Sequence, residues 1–218
     1  MSKRILLADD HRVLIDALQT TLEQQRDLEV VGFAENGRRA MELVDELVPD
    51  VVVIDVGMPE LNGVDATRQI TKRHPRTRVV ALSTYRDGKH VMSMLRAGAS
   101  AYVLKSEASA ELLAAIRKVC EGERFLSSGV TDQVVTGAIS PEDGEADSGN
   151  LSKLGERERE VLQLVAEGLT SGEIASKLFI PPSTVDTHGR NIMRKLELHG
   201  IADLTRFAVR EGLAQAES

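Results

Sequence analysis

The 218-residue sequence has little of what marks several common protein classes. A single cysteine, Cys120, excludes an internal disulfide and a metal site built from several cysteines. With no tryptophan, two tyrosines and four phenylalanines, the chain lacks the aromatic residues for a surface on which single-stranded bases stack. No apolar run approaches the ~18 residues that a membrane span needs. Because Asp9 and Asp10 interrupt the first apolar run, we expect no signal peptide, no membrane partner and a cytoplasmic protein.

A surplus of basic residues is also missing, since the formal net charge is -7. This charge excludes a protein coated in positive charge for nucleic acid, but it is unevenly distributed. Residues 141–150 carry four acidic and no basic side chains, whereas residues 151–218 carry ten acidic and nine basic ones. Residues 126–150 are therefore predicted to be a linker, acidic and flexible at 140–150. It would join two domains, residues 1–125 and residues 151–218, and the second can still hold a local basic stripe.

The first 120 residues alternate short apolar segments with longer amphipathic ones, which is the pattern of a repeated strand and helix unit. Five segments are predicted strands: Arg4–Ala8, Glu29–Ala34, Val51–Ile54, Val79–Leu82 and Ala101–Leu104. The third is apolar throughout, as in a strand buried on both faces of a parallel sheet. We therefore predict an α/β doubly wound domain with a parallel five-stranded sheet in the strand order 2-1-3-4-5.

Three carboxylates follow strands that would be neighbours in this sheet: Asp9 and Asp10 follow the first strand, and Asp55 follows the third. The carboxyl ends of these strands form the binding crevice of such a sheet, so the three groups should converge. Clustered like charges need a neutralising partner, and Mg²⁺ held by carboxylates and water fits best. No pair of histidines has metal-ligand spacing, so a solvated surface position is expected for His11, His74, His90 and His199.

Two further polar residues point at the same crevice, because Ser83 follows the fourth strand and Lys105 follows the fifth. A hydroxyl and an ammonium opposite a metal-bound carboxylate form a site for a phosphoryl group, and a carboxylate there can act as the nucleophile. Together with the three carboxylates, Tyr102, Met58-Pro59 and Gly63, these residues resemble the receiver domain of two-component response regulators. The resemblance covers residues 1 to about 125.

The resemblance to receiver domains implies a role for each matched residue. Asp55 is the implied phosphoacceptor, which takes a phosphoryl group from a sensor histidine kinase with the help of Lys105 and Ser83. Ser83 and Tyr102 are the implied switch pair. The implied Mg²⁺ ligands are three carboxylates and one backbone carbonyl, those of Asp9, Asp10, Asp55 and Gly57.

From Leu154 onward the sequence has helical periodicity and no strand candidate. Four helices are predicted: Glu156–Glu167, Ser171–Phe179, Pro182–Leu196 and Ile201–Glu211. Gly168 fits the end of the first helix, Thr170 and Glu173 fit a capping box before the second, and Pro182 suits the first turn of the third. The second and third helices, joined by a short turn, form a helix-turn-helix pattern.

Strings such as Glu173-Ile174-Ala175 and Ser183-Thr184-Val185 resemble the LuxR-type DNA-binding domain of NarL/FixJ regulators. The resemblance implies a transcription regulator whose third helix enters the major groove of double-stranded DNA. The implied DNA contacts are polar or basic side chains of that helix: Ser183, Thr184, Thr187, Arg190, Arg194 and Lys195. It also implies a homodimer that forms on phosphorylation or on DNA, and RNA polymerase as a possible partner.

The dimer surface stays open at this stage. The first and fifth receiver helices are one candidate, and the fourth helix with the fifth strand is another. The last helix of the chain is a candidate surface in the DNA-binding domain.

Two other functions stay open on the sequence alone. A phosphohydrolase that works through an aspartyl phosphate is disfavoured, because Val56-Gly57 follows Asp55 where such an enzyme would have a second aspartate two residues on. We therefore expect that the chain is not an enzyme. A regulator whose helical domain binds protein instead of DNA stays open as a rival, because Asp186 and Gly189 each remove a potential phosphate contact from the third helix.

Overall fold

The computed structural model describes residues 2–131 and 150–214 of the chain. The chain divides into two compact units, Met1–Ile139 and Ser140–Ser218. The acidic linker predicted at residues 140–150 lies outside the described residues except for its last position. Leu126, the first residue of the predicted connection, still belongs to the sheet of the first unit.

The first unit is an α/β domain in which strands and helices alternate. Its strands are β1 (Lys3–Ala8), β2 (Leu28–Ala34), β3 (Val51–Asp55), β4 (Arg78–Ser83), β5 (Ala101–Leu104) and β6 (Phe125–Leu126). Its helices before β6 are α1 (Arg12–Glu23), α2 (Gly37–Leu47), α3 (Gly63–Arg73), α4 (Gly88–Ala97) and α5 (Ala108–Cys120), and residues 128–131 after β6 are also helical. One turn of 3-10 helix covers Lys105–Glu107.

Neighbouring strands are parallel throughout, in the order β2-β1-β3-β4-β5-β6. The predicted order of the first five strands is confirmed, but the predicted count of five is wrong because β6 adds a sixth. In β6, Phe125 pairs with Ala101 and Leu126 pairs with Tyr102. Two residues are too few to show an alternating pattern in the sequence. Only the return of the chain after α5 brings them to the edge of the sheet.

Helices cover both faces of this sheet. In β1, Ile5 and Leu7 belong to a core shared with α1 and α5, whereas Leu6 and Ala8 belong to a core shared with α2, α3 and α4. Successive side chains of a strand point to opposite faces, so each central strand supplies both cores. The apolar run Val51–Ile54 is buried along its whole length, as its composition predicts.

After a short helical stretch at residues 150–152, the described part of the second unit has four helices: α6 (Glu156–Ala166), α7 (Ser171–Leu178), α8 (Pro182–Leu196) and α9 (Ile201–Arg210). The end of α6 and the starts of α7 and α8 are set by the residues that the sequence predicts for them. Gly168 takes a left-handed φ of 81° after α6, Thr170 and Glu173 form a reciprocal capping box, and Pro182 lies in the first turn of α8. The four helices enclose a separate core that includes Val161, Ile174, Val185, Ile192 and Leu204.

Within the two described ranges, no helix is both long enough and apolar enough to cross a membrane.

Candidate functional site

The register of the central strands places two acidic residues side by side. Ala8 of β1 pairs with Ile54 of β3, so Asp9 and Asp55 come next on neighbouring strands at the same edge of the sheet. Both are buried, whereas Asp10 is exposed. One oxygen atom from each of these three aspartates lies within 4.8 Å of the others. The structure thus brings together the three carboxylates that the sequence predicts to converge.

A glycine allows the tight loop that follows Asp55. The backbone N–H of Gly63 donates to the carbonyl of Val56 at 2.9 Å. A Cβ atom at Gly63 would lie 1.9 Å from the carbonyl oxygen of Asp55, so any side chain would push α3 away from the end of β3. Asn62 caps α3 by accepting from the N–H of Asp65 at 2.9 Å. These contacts fix the direction in which the chain leaves the acidic cluster.

Lys105 lies between the two buried carboxylates. Its Nζ atom is 2.8 Å from Oδ2 of Asp9 and 2.9 Å from Oδ2 of Asp55. Burial alone would lower the pKa of the Lys105 ammonium, but the charges and hydrogen bonds of Asp55 and Asp9 outweigh burial and raise this pKa. The lysine therefore stays protonated and neutralises part of the negative charge of the cluster.

The environment of the Asp55 carboxyl also shifts its pKa. Burial raises the pKa of Asp55 above its usual value, and the negative charge of Asp9 adds to the rise. The ammonium of Lys105 and a hydrogen bond from the backbone N–H of Gly57 oppose it. A carboxylate that combines burial with a specific cation partner in a crevice is typical of a functional site.

His11 also belongs to the cluster, although its spacing from other histidines predicts only a solvated residue. Its Nδ1 atom lies 3.0 Å from Oδ1 of Asp9 and 2.9 Å from Oδ1 of Asp10. Its side chain is 60% exposed, so the imidazole is more exposed to solvent than either carboxylate that it contacts. The signal available in the sequence was its position directly after Asp9-Asp10, not a ligand spacing.

The donor set of the cluster fits Mg²⁺. The three aspartates supply the carboxylate oxygens that this hard cation prefers. Three carboxylates against the single ammonium of Lys105 leave two negative charges, which is the charge that one divalent cation would balance. The carbonyl of Gly57 stays a predicted ligand.

Ser83 and Tyr102 lie together on neighbouring strands. Ser83 of β4 pairs with Leu104 of β5, and Tyr102 lies two residues earlier on the same face. Both side chains are fully buried, and burial raises the pKa of the Tyr102 phenol above its usual range against an opposing hydrogen bond with Ser83. The Tyr102 hydroxyl donates to the carbonyl of Tyr85 at 2.8 Å, and the N–H of Tyr85 donates to Oγ of Ser83 at 3.1 Å. The two side chains are thus also joined through the loop after β4.

Most of the predicted DNA contacts lie on the exposed side of α8. Four of these side chains are exposed, those of Ser183, Thr187, Arg190 and Arg194, and Thr184 is half-buried. The guanidinium of Arg190 donates to Oγ1 of Thr187 at 3.1 Å, and that of Arg194 donates to Oδ1 of Asn191 at 3.1 Å. Both cations are therefore held against the helix surface from one turn to the next.

Lys195 differs from the other predicted DNA contacts because it is bound within its own domain. Its Nζ atom lies 2.6 Å from Oε2 of Glu158 in α6, and the same oxygen accepts from the N–H of Gly155 at 2.8 Å. Burial raises the pKa of Glu158, but the hydrogen bonds from Lys195 and Gly155 outweigh it and lower this pKa. The lysine therefore links α8 to α6.

Asp186 and Gly189 lie on one flank of α8. Asp186 is exposed and accepts from Oγ of Ser171 at 2.8 Å, which joins the start of α7 to α8. A Cβ atom at Gly189 would meet no other atom within 4 Å, so packing does not explain the glycine. The space beside it is part of a cavity of about 520 Å³ that is lined mainly by apolar side chains of the four helices.

Two protein families match the chain, one in each unit. The family described as response regulator receiver domain matches residues 5–117. The family described as bacterial regulatory proteins, luxR family, matches residues 152–208.

Individual relatives are similar over nearly the whole chain. The uncharacterized transcriptional regulatory protein YhcZ of Bacillus subtilis (strain 168) is 37% identical, over 96% of this chain and 97% of that protein. The response regulator UvrY of Escherichia coli (strain K12) is 32% identical, over 98% of this chain and 97% of that protein. A solved two-component response regulator of the LuxR family from Aurantimonas sp. SI85-9A1 is 29% identical with a TM-score of 0.61, over 64% of this chain and 100% of that one.

Proposed function

We propose that Asp55 is the phosphoacceptor of this chain, which belongs to the NarL/FixJ family of two-component response regulators with a receiver domain and a LuxR-type DNA-binding domain. A sensor histidine kinase donates the phosphoryl group in a Mg²⁺-dependent reaction. Phosphorylation then controls dimerisation and sequence-specific binding to double-stranded DNA. The protein stores the phosphoryl group as a signal and does not act as an enzyme on a separate substrate.

One observation carries this proposal: the ammonium of Lys105 lies within 2.9 Å of both buried carboxylates, Asp9 and Asp55. In the transfer, an oxygen of Asp55 bonds to the phosphorus of a phosphohistidine. The bond from phosphorus to the imidazole nitrogen breaks, and its electron pair stays with the imidazole. Lys105 then pairs with an oxygen of the new phosphoryl group.

The metal site of this reaction would use Asp9, Asp10, Asp55 and the carbonyl of Gly57 as ligands. Mg²⁺, when bound, supplies positive charge that offsets the charge of the incoming phosphoryl group. Without it, a dianionic group would meet a cluster that already has more carboxylates than cations.

Ser83 and Tyr102 carry the signal out of the site in this proposal. The phosphoryl group adds about -1.5 to -2 charges, and Oγ of Ser83 donates a hydrogen bond to it. Movement of Ser83 disturbs the loop that binds the Tyr102 hydroxyl, so the tyrosine repacks. Converting a 1:99 equilibrium to 99:1 takes about 5.5 kcal/mol, more than one hydrogen bond supplies. Dimerisation therefore contributes part of the free energy of the switch.

The DNA-binding domain reads two half-sites as a homodimer. Residues 151–218 have nearly equal numbers of acidic and basic side chains, so phosphate contacts are few for each protomer. Exposed Arg190 and Arg194 are the strongest candidates, and Ser183, Thr184 and Thr187 supply neutral contacts. RNA polymerase is a further partner of the bound dimer.

The test compares wild type, Asp55→Asn and Asp16→Asn with labelled acetyl phosphate and Mg²⁺. Asp16 is a matched control, since it is an exposed carboxylate of α1 that pairs with Arg12. We expect label on wild type and Asp16→Asn but not on Asp55→Asn, and tighter binding of selected DNA by the labelled proteins. Equal labelling of all three proteins would exclude Asp55 as the acceptor. Failure of the labelled protein to enrich any DNA sequence would favour a protein partner for the helical domain.

A further inference from the structure

The cavity beside Gly189 has the size and the lining of a small-molecule site. Its volume of about 520 Å³ lies within the roughly 300–1,000 Å³ of ligand sites, which are mostly apolar with a few polar groups. Its most buried side chains are those of Ile174, Val185 and Leu204, each at most 2% exposed. Ile201 also lines it and is 65% exposed, so the cavity is open to solvent there. An apolar ligand would cover a side chain that the domain leaves in water.

Gly189 keeps part of this cavity free. It lies in the middle of α8, where a glycine costs about 1 kcal/mol of helix stability relative to alanine. A Cβ atom there would meet no other atom within 4 Å, so packing does not require a glycine. Its helical backbone does not require one either. The consequence of the glycine is space beside α8, whose apolar walls lack the dispersion contacts that a ligand would supply.

The two charged side chains at the cavity differ in how they are bound. Asp186 accepts from Oγ of Ser171 at 2.8 Å, at the start of α7, where the helix dipole also favours a negative charge. Arg190 is exposed, and its guanidinium, which has five N–H groups, donates to Oγ1 of Thr187 at 3.1 Å. The fork of N–H groups in a guanidinium matches a carboxylate. Charge complementarity therefore favours a carboxylate on the ligand.

We propose that this cavity binds a small carboxylic acid with an apolar body, such as a medium-chain fatty acid. The carboxylate of the acid pairs with the guanidinium of Arg190. Its hydrocarbon chain packs on Val185 and Leu204 and covers Ile201. The site involves only the DNA-binding domain, so binding of the acid does not depend on phosphorylation of Asp55.

The acid competes with DNA for the same guanidinium. This part of the inference rests on the proposed function, because Arg190 is one of the proposed DNA contacts. A guanidinium that pairs with the carboxylate of the ligand is not available to a phosphate or a base edge. With full competition, an acid at ten times its own Kd weakens DNA binding about elevenfold for each protomer.

The first experiment titrates the full unphosphorylated chain with decanoate, below the concentration at which decanoate forms micelles, and follows binding by isothermal titration calorimetry. Decanol and decylamine are matched ligand controls, because they have the same hydrocarbon chain with a neutral or a cationic head group. We expect one decanoate for each chain, weaker binding of decanol and the weakest binding of decylamine. Fluorescence anisotropy of a selected DNA then shows whether decanoate weakens DNA binding more than decanol does.

Variants of the lining test where the acid binds. Gly189→Leu fills the cavity and should abolish decanoate binding. Arg190→Gln should weaken it by about two- to fivefold, which is the effect of losing an exposed ion pair, and leave an affinity close to that of decanol. Arg206→Gln is the control and should bind decanoate like wild type, because Arg206 is an exposed cation of α9 outside the cavity. Thermal unfolding shows whether each variant is folded.

Several outcomes overturn the proposed site. Absence of decanoate binding to wild type would do so, and so would undiminished binding by a folded Gly189→Leu or equal affinities for the three ligands. Tighter binding of decylamine would assign the polar end of the cavity to Asp186 and overturn the choice of a carboxylate. Self-association that Gly189→Leu abolishes, without any binding of decanoate, would assign the cavity to a second copy of the chain.

The remaining outcomes separate the site from the proposed function. If Gly189→Leu does not fold, the comparison of Arg190→Gln with Arg206→Gln decides, and equal affinities of these two variants overturn the pairing with Arg190. Bound decanoate with unchanged DNA affinity overturns only the competition with DNA. A chain that binds decanoate but enriches no DNA sequence contradicts the proposed function and supports the ligand site.

Discussion

The Nζ atom of Lys195 lies 2.6 Å from Oε2 of Glu158, so one cation of the proposed recognition helix is bound within its own domain. Glu158 is buried, and the lysine side chain is 37% exposed. The pair joins α8 to α6 and orients the helix that carries Arg190 and Arg194. The pair therefore stabilises the domain, and it also occupies an ammonium that would otherwise be available to a DNA phosphate.

Glu158→Gln should make the DNA-binding domain less stable at neutral pH. The pKa of Glu158 is lower in the folded chain than its ordinary value of 4.5, so the pair stabilises the fold above that value and loses its effect as the pH falls through the folded pKa. We expect a loss of about 1 kcal/mol at pH 7, since the lysine is partly exposed, and a smaller loss at about pH 4, below that ordinary value. Urea unfolding at both pH values measures this, with the exposed Glu197→Gln as control. An equal loss at both pH values would contradict the prediction.

Arg194→Gln and Lys195→Gln should differ in their effect on the salt dependence of DNA binding. Each phosphate contact contributes about 0.9 to the slope of log affinity against log salt. We expect Arg194→Gln to reduce the slope by about this amount and Lys195→Gln to reduce it much less, because Glu158 already holds that ammonium. Fluorescence anisotropy of the phosphorylated protein on DNA at several salt concentrations measures both slopes. Equal reductions would mean that the pair with Glu158 opens on DNA.

Lys105→Met should make the stability of the receiver domain depend more strongly on Mg²⁺. The variant leaves the carboxylates of Asp9 and Asp55 without their shared ammonium. We expect a loss of about 2–3 kcal/mol without metal, below the ~3–5 kcal/mol of a fully buried broken pair because the crevice opens to solvent. Thermal unfolding in millimolar Mg²⁺ and in chelator should then show a larger metal effect than in wild type. Asp55→Asn, which removes a carboxylate, should show a smaller one, and the opposite ranking would count against the metal site.

Gly189→Ala should stabilise the DNA-binding domain by about 1 kcal/mol, because glycine is a poor helix former and a Cβ atom there meets nothing within 4 Å. Gly63→Ala is the contrasting control, since its Cβ atom would lie 1.9 Å from a carbonyl oxygen and should destabilise the receiver domain strongly. Urea unfolding of both variants measures the two effects. A destabilising Gly189→Ala would show that α8 needs the glycine for a reason other than packing.

Much of the fold follows from patterns within single segments. The apolar run at Val51–Ile54 predicts a buried central strand, and the sequence of strands and helices predicts the order of the first five strands. The convergence of Asp9 and Asp55 follows as well, because both come directly after neighbouring parallel strands. The residues at which α7 and α8 begin follow from Thr170, Glu173 and Pro182, because capping and proline act locally.

The sequence by itself determined the elements, their faces and the edge of the sheet at which the acidic residues meet. Only the tertiary structure decided which individual side chains pair: His11 with the two aspartates before it, His90 with Tyr85, and Lys195 with Glu158 of another helix. It also decided the two-residue strand β6. The physical reason is that periodicity reports only which side of its own element a residue occupies. An ion pair or a ring stack depends instead on distances of a few ångströms between side chains, whether these are close in the chain, as His11 and Asp10 are, or on different helices, as Lys195 and Glu158 are.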